Sequence, residues 1–180
     1  MEYVIGIIVG LLVVYVIYTL NKIIKANNKV KEAFSTMDVY LKKRWDLIPN
    51  IVSTTKAYTK YESETLEGIV KERNNYAKLS MNDKLNSNEQ ISSNLNKLLA
   101  LAESYPELKA SENFLDLSTQ LTAVEDEIAH SRKYYNASVR EYNNRIEMIP
   151  SNIIAAIFGF KTKNMFEATT EEKENIKVEM

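Results

Sequence analysis

Cysteine is absent from the sequence, and histidine, proline and glycine are close to it: one, three and four in 180 residues. Without cysteine there is no disulfide, no thiolate metal site, no cysteine nucleophile and no thiol for a lipid anchor. With His130 alone, zinc chemistry lacks ligands and a Ser-His-Asp arrangement has a single base to draw on. Glu127-Ile-Ala-His130 has the Glu-x-x-His spacing of di-iron helical bundles. That site needs two such pairs and two further Glu residues, so one chain cannot build it. Gly68 and Gly159 stand alone, which excludes a glycine-rich phosphate loop. Net charge is −1, so no global basic field draws nucleic acid. So few turn formers, in a chain rich in Leu, Lys, Glu, Ala and Asn, predict long helices with few corners.

What the sequence does have is an uncharged apolar run from Tyr3 to Leu20. About 20 apolar residues at ~1.5 Å each span a ~30 Å hydrocarbon layer, so residues 1–20 read as one transmembrane anchor. Lys22, Lys25, Lys29 and Lys31 follow it with no acid among them. By the positive-inside rule the N-terminus faces out and the remainder is cytoplasmic, in a single-pass protein of the inner (cytoplasmic) membrane. A cleaved signal peptide is the competing reading. No basic residue precedes the run and no small-x-small cleavage site follows it. Gly6 and Gly10 form a GxxxG, which lets two anchors approach and pair; a plain anchor is the alternative.

Residues 21–166 read as an all-α, antiparallel, four-helix-type bundle continuing the anchor, with a short C-terminal helix. Val30, Phe34, Met37 and Leu41 make an amphipathic stripe beside Trp45. Pro49 is the first breaker, predicting a new helix over 50–78 capped by Asp46, with a kinked continuous helix as the alternative. In that helix Glu62 and Arg73 interrupt an apolar face. Residues 79–87 read as a loop, and Ser87-x-x-Gln90 as a capping box opening a helix with Ile91, Leu95, Leu98, Ala102 and Tyr105 inward. Pro106 stops it, and Ser111 restarts the chain. Over 112–147 the sequence carries Phe114, Leu117, Leu121, Val124, Ile128, Ser131, Tyr135, Ser138 and Tyr142 at alternating steps of three and four, a coiled-coil type seam. Pro150 ends it. Ser151 or Asn152 then caps a short helix that Gly159 ends. Residues 167–180 are acidic and predicted to be a disordered tail. In the Lys42-Lys43-Arg44 cluster, Arg44 is expected to pair with an acid.

Counting directions, the helix over 112–147 returns to the bilayer. Ile153, Ile154, Ile157, Phe158 and Phe160 then lie at membrane level, with Lys161 and Lys163 near the head groups. Residues 151–166 are therefore either a second, interfacial membrane contact or a plug folded back under the bundle.

Several blocks resemble the LemA family in the family's order: Tyr40-Leu-Lys-Lys-Arg-Trp-Asp-Leu-Ile-Pro-Asn50, Tyr105-Pro-Glu-Leu-Lys-Ala-Ser-Glu-Asn-Phe114, Tyr134-Tyr-Asn-Ala-Ser-Val-Arg-Glu-Tyr-Asn143, and Pro150-Ser-Asn-Ile followed by Phe158-Gly-Phe160. The likeness spans about residues 2 to 168, with Trp45 where the family usually has Tyr or Phe. It implies a bacterial membrane protein with one N-terminal anchor and a cytoplasmic helical domain. It carries no agreed biochemical activity and no catalytic residues; one branch is associated with membrane organelles of magnetotactic bacteria.

The functional expectation is a non-enzymatic, membrane-anchored scaffold that organises or shapes membrane. The alternative is an adaptor or regulator of a membrane enzyme or signalling system. No cofactor or metal is expected. Expected partners are the lipid bilayer, further copies of the chain and an unidentified membrane protein, but no nucleic acid.

Overall fold

A computed structural model describes residues 1–58, 79 and 81–166. Among the described residues five helices follow one another: α1 (Glu2–Tyr58), α2 (Met81–Glu103), α3 (Pro106–Lys109), α4 (Glu112–Glu147) and α5 (Ser151–Ile157). Among the described residues there is no strand. Contacts divide the described residues into two units, one of Met1–Met37 with His130–Met165, the other lying between Asp38 and Ala129.

In the first unit α1 buries Ile23, Ala26, Val30, Ala33 and Met37, at steps of three and four. This spacing keeps one narrow stripe facing a partner helix. The two alanines let that partner approach, while Ile23, Val30 and Met37 each contribute about 1.5–3 kcal/mol by leaving water. The partner is α4, which buries Ser131, Tyr135, Ser138, Val139 and Tyr142. The helices run antiparallel. Lys29 Nζ donates to Glu141 Oε2 at 2.8 Å, and about one and a half turns further along, Phe34 meets Tyr135 edge to face with centroids 6.0 Å apart. The two serines predicted in the seam are both buried, and Ser138 Oγ satisfies itself by donating to the Tyr134 carbonyl at 2.9 Å.

The second unit holds the rest of α1, α2, α3 and the first half of α4. Its core includes Leu41, Trp45, Ile48, Ile51, Leu95, Leu98, Leu108, Phe114, Leu121, Val124 and Ile128. Leu117, predicted in the seam, is half-buried. Arg44 lies wholly inside, its Nη1 donating to Glu125 Oε1 at 3.0 Å and Ser92 Oγ at 3.1 Å. The expected pairing of Arg44 with an acid is therefore present. Asp46 instead accepts from Lys42 at 2.7 Å.

Two predicted boundaries are wrong. Pro49 does not end a helix; α1 runs through it to Tyr58. Proline inside a helix removes one bond and crowds the preceding turn, at a cost of ~3 kcal/mol. Burial of Ile48, Ile51 and Val52 on either side offsets that cost. Thr55 is buried among them, its hydroxyl donating to the Ile51 carbonyl at 2.8 Å. Nor does Ser87 open a helix, because α2 already starts at Met81. The residues that gave no apolar period there include Lys84, which donates to both carboxylate oxygens of Asp38 at 2.8 and 2.9 Å. The prediction for Glu62 and Arg73, and that for the 167–180 tail, fall outside the described residues. The helix over 112–147 has the predicted ends, Ser111 preceding it and Pro106 beginning α3.

Candidate membrane-facing surface

The apolar run that the sequence marks as an anchor is helical and almost wholly exposed. It is the one stretch among the described residues long and apolar enough to cross a membrane, and 6% of it is buried. Leu11, Leu12 and Val14 face outward with nothing on them. In water such exposure is strongly unfavourable at ~25 cal/mol per Å², whereas in hydrocarbon it costs nothing. Tyr3 stands at one end of the run, Tyr15 and Tyr18 at the other. Amphipathic rings in those places suit the two water–lipid boundaries. Lys22 Nζ lies 4.5 Å from the centroid of the Tyr18 ring, a cation–π contact at the lysine-flanked end. Gly6 and Gly10 leave open space where a Cβ would stand, so the pair is a bare groove in this single chain.

Burial on α1 begins at Thr19, 7% exposed, and Ile23. The register set by Lys29 with Glu141 and Phe34 with Tyr135 explains the position. Both helices advance ~1.5 Å per residue, so the end of α4 at Glu147 lies roughly level with Lys22 and Ile23. Met148 and Ile149 come next, level with the end of the apolar run, and α5 follows them in the chain. Of the four flanking lysines, Lys22, Lys25 and Lys31 are exposed and Lys29 reaches Glu141, which also accepts from Arg145 at 2.9 Å. The hydrogen bonds from Lys29 and Arg145 hold the Glu141 carboxyl below its usual range, and Glu141 in turn raises the Lys29 ammonium.

Helix α5 has two characters. Ile154 and Ala155 are buried, while Ile153, Ile157 and Phe158 are exposed, Ile157 at 74%. Ser151 is its first residue and not its cap, since its hydroxyl donates back to the Met148 carbonyl at 2.8 Å. Pro150 occupies the cap position and follows a cis peptide bond. Gly159 ends the helix as predicted, at φ +72°, a conformation glycine adopts without strain.

Beyond Gly159 an extended segment runs back along α4, held by side chains of the Tyr134–Asn143 block. The Tyr142 hydroxyl donates to the Lys161 carbonyl at 3.0 Å, and the Tyr135 hydroxyl to the Asn164 carbonyl at 3.1 Å. Asn143 grips Lys163 twice, its Nδ2 donating to the Lys163 carbonyl at 2.9 Å and its Oδ1 accepting from the Lys163 amide at 3.0 Å. A strand-like segment without a sheet must find partners for its backbone, and these three side chains supply them. Burial pushes the Tyr135 hydroxyl up to about 12 and raises Tyr142 as well. Lys163 sits with its Nζ 5.5 Å from the Tyr142 ring centroid. Its ammonium is held below the usual lysine range, by burial first and by Lys31 second. Phe160 is half-buried and Lys161 exposed.

The sequence pattern places Tyr135 and Tyr142 in the seam of α4 and does not reveal the clamp. The available signal was two seam tyrosines and an asparagine with polar atoms that must find partners inside. Chemistry is sparse elsewhere. His130 is exposed, and among the described residues no three His, Asp or Glu side chains gather as a metal site requires.

An exposed membrane-length helix continuing into packed long helices defines a membrane-associated all-α protein. More narrowly, the chain belongs to the LemA family, whose profile matches residues 33–180. It is 27% identical over 159 residues to Protein LemA of Metamycoplasma hominis, covering 87% of this chain and 72% of that one. It is also similar to Magnetosome protein MamQ 2 of Paramagnetospirillum magneticum, 37% identical over 73 residues, or 41% of this chain and 27% of the relative. Magnetosome protein MamQ of Magnetospirillum gryphiswaldense is 36% identical over 72 residues, or 40% of this chain and 26% of the relative. The match spans only about a quarter of the length of these magnetosome proteins.

Proposed function

We propose that the protein is a non-enzymatic scaffold, held in the cytoplasmic membrane by residues 3–20, with its N-terminus outside and its helical units in the cytoplasm. The observation that carries this reading is the exposed apolar helix ending at Lys22, Lys25, Lys29 and Lys31. Acid-free lysines on one flank favour retention of that flank on the cytoplasmic side. Copies associate through the anchors, where Gly6 and Gly10 leave room for backbone approach. Likeness to magnetosome proteins, short as it is, fits a role in organising membrane.

The test is the size of the detergent-solubilised protein, with crosslinking through single cysteines placed at Val9 and Val13. The scaffold reading expects discrete oligomers that Gly6→Leu with Gly10→Leu reduces to monomer. A monodisperse monomer that co-purifies with one defined membrane protein would refute it in favour of an adaptor.

A further inference from the structure

We propose that the outer face of α5, with the Met148–Ile149 turn before it, lies in the head-group boundary of an anionic bilayer, as a second membrane contact. This rests on the anchor reading above and adds a lipid surface as the partner of α5. Four observations converge. Met148, Ile149, Ile153, Ile157 and Phe158 are all exposed, Ile149 at 82%. The antiparallel register places Met148 and Ile149 level with the end of the exposed anchor, and α5 follows them directly in the chain. The helix is fixed there: Ile154 and Ala155 hold one face of α5 inside, and the Tyr142 and Asn143 bonds to residues 161 and 163 tie down the chain beyond Gly159. Finally, the charges suit acidic head groups. Residues 148–166 contain no acid, and exposed Lys161 joins Lys22 and Lys25 on the flank of the anchor.

Apolar side chains of this kind enter about 5–10 Å into the boundary, well short of crossing. Lysines near the surface add attraction that depends on anionic lipid. The plug and the membrane contact are thus opposite faces of one short helix.

Since the chain has no cysteine, single-cysteine variants report single sites. Full-length Leu12→Cys, Ile157→Cys and Glu32→Cys, each carrying an environment-sensitive fluorophore, are reconstituted in vesicles of phosphatidylcholine and phosphatidylglycerol with brominated acyl chains. The expected result is strong quenching at Leu12, about half as much at Ile157 and little at Glu32, which lies ~18 Å further along α1 than Leu20. Quenching at Ile157 should weaken when phosphatidylglycerol is omitted; independence from it overturns the anionic part of the proposal. Quenching at Ile157 no greater than at Glu32 overturns the contact itself. So does a label shielded from aqueous iodide yet untouched by brominated lipid, which would assign the face to another copy of the chain. Failure at Leu12 would instead sink the anchor.

Discussion

Removing Glu125 should damage the protein more than removing Arg44, although each deletes the same ion pair. The Arg44 guanidinium has no solvent exposure, whereas the Glu125 side chain is 35% exposed. In Glu125→Ala the cation stays buried without this carboxylate, although Ser92 still accepts from it. Breaking a buried pair that way costs ~3–5 kcal/mol, and water at Glu125 discounts the figure to about 2–3 kcal/mol. In Arg44→Met the apolar stem is kept and Glu125 turns to solvent, for a loss of about 1 kcal/mol. The double variant should resemble Arg44→Met, leaving a coupling of ~2 kcal/mol. Trp45, the only tryptophan, is buried beside Arg44 and reports this unit's unfolding by its emission. In urea, Glu125→Ala should lower the midpoint by about 1–2 M and Arg44→Met by well under 1 M. Equal shifts, or additive ones, would refute the reasoning.

The clamp on the 161–164 segment is open to a similar test. Asn143→Ala deletes two hydrogen bonds, costs about 1–2 kcal/mol locally, and should speed amide exchange at Lys163 about tenfold or more; unchanged exchange would count against the clamp. Tyr135 ionises only at about 12 when folded, against 10.0 unfolded, so its contribution to stability is complete below pH 10 and is lost as pH rises towards 12. Tyr135→Phe should flatten that alkaline decline in a urea series across pH. Glu141 behaves oppositely: its depressed folded value stabilises above the ordinary 4.5 and that stability disappears as pH falls through the folded value. Glu141→Gln should remove this acid-side slope, and an unaltered slope would place its cause elsewhere.

The helix over 112–147 was legible to its last residue because an unbroken three-four period states both the fold and the inward face. Gly159 was legible for a local reason, since a helix that turns back needs φ above zero. Pro49 and Ser87 misled because each is a local signal overruled by distant packing. Ile48, Ile51 and Val52 hold the helix through Pro49, and the polar start of α2 has no apolar period to read. Arg44 could be paired in principle but not by name, since Glu125 is 81 residues away and no periodicity links them. The clamp was invisible because its partners on the 161–164 segment are main-chain carbonyls and an amide, which every sequence has everywhere. The exposed apolar face of α5 was half legible. The residues from Ile153 to Phe160 were marked, but which of them point out depends on Ile154 and Ala155 packing inward.

The most direct test of the whole account is which side of the membrane each end of the anchor occupies. Glu2→Cys and Glu32→Cys, made separately in the full chain, are exposed to a membrane-impermeant maleimide in intact spheroplasts and again after permeabilisation. The account predicts that Glu2→Cys reacts at once and Glu32→Cys only after permeabilisation. Reaction at Glu32 in intact spheroplasts, or none at Glu2, would contradict it.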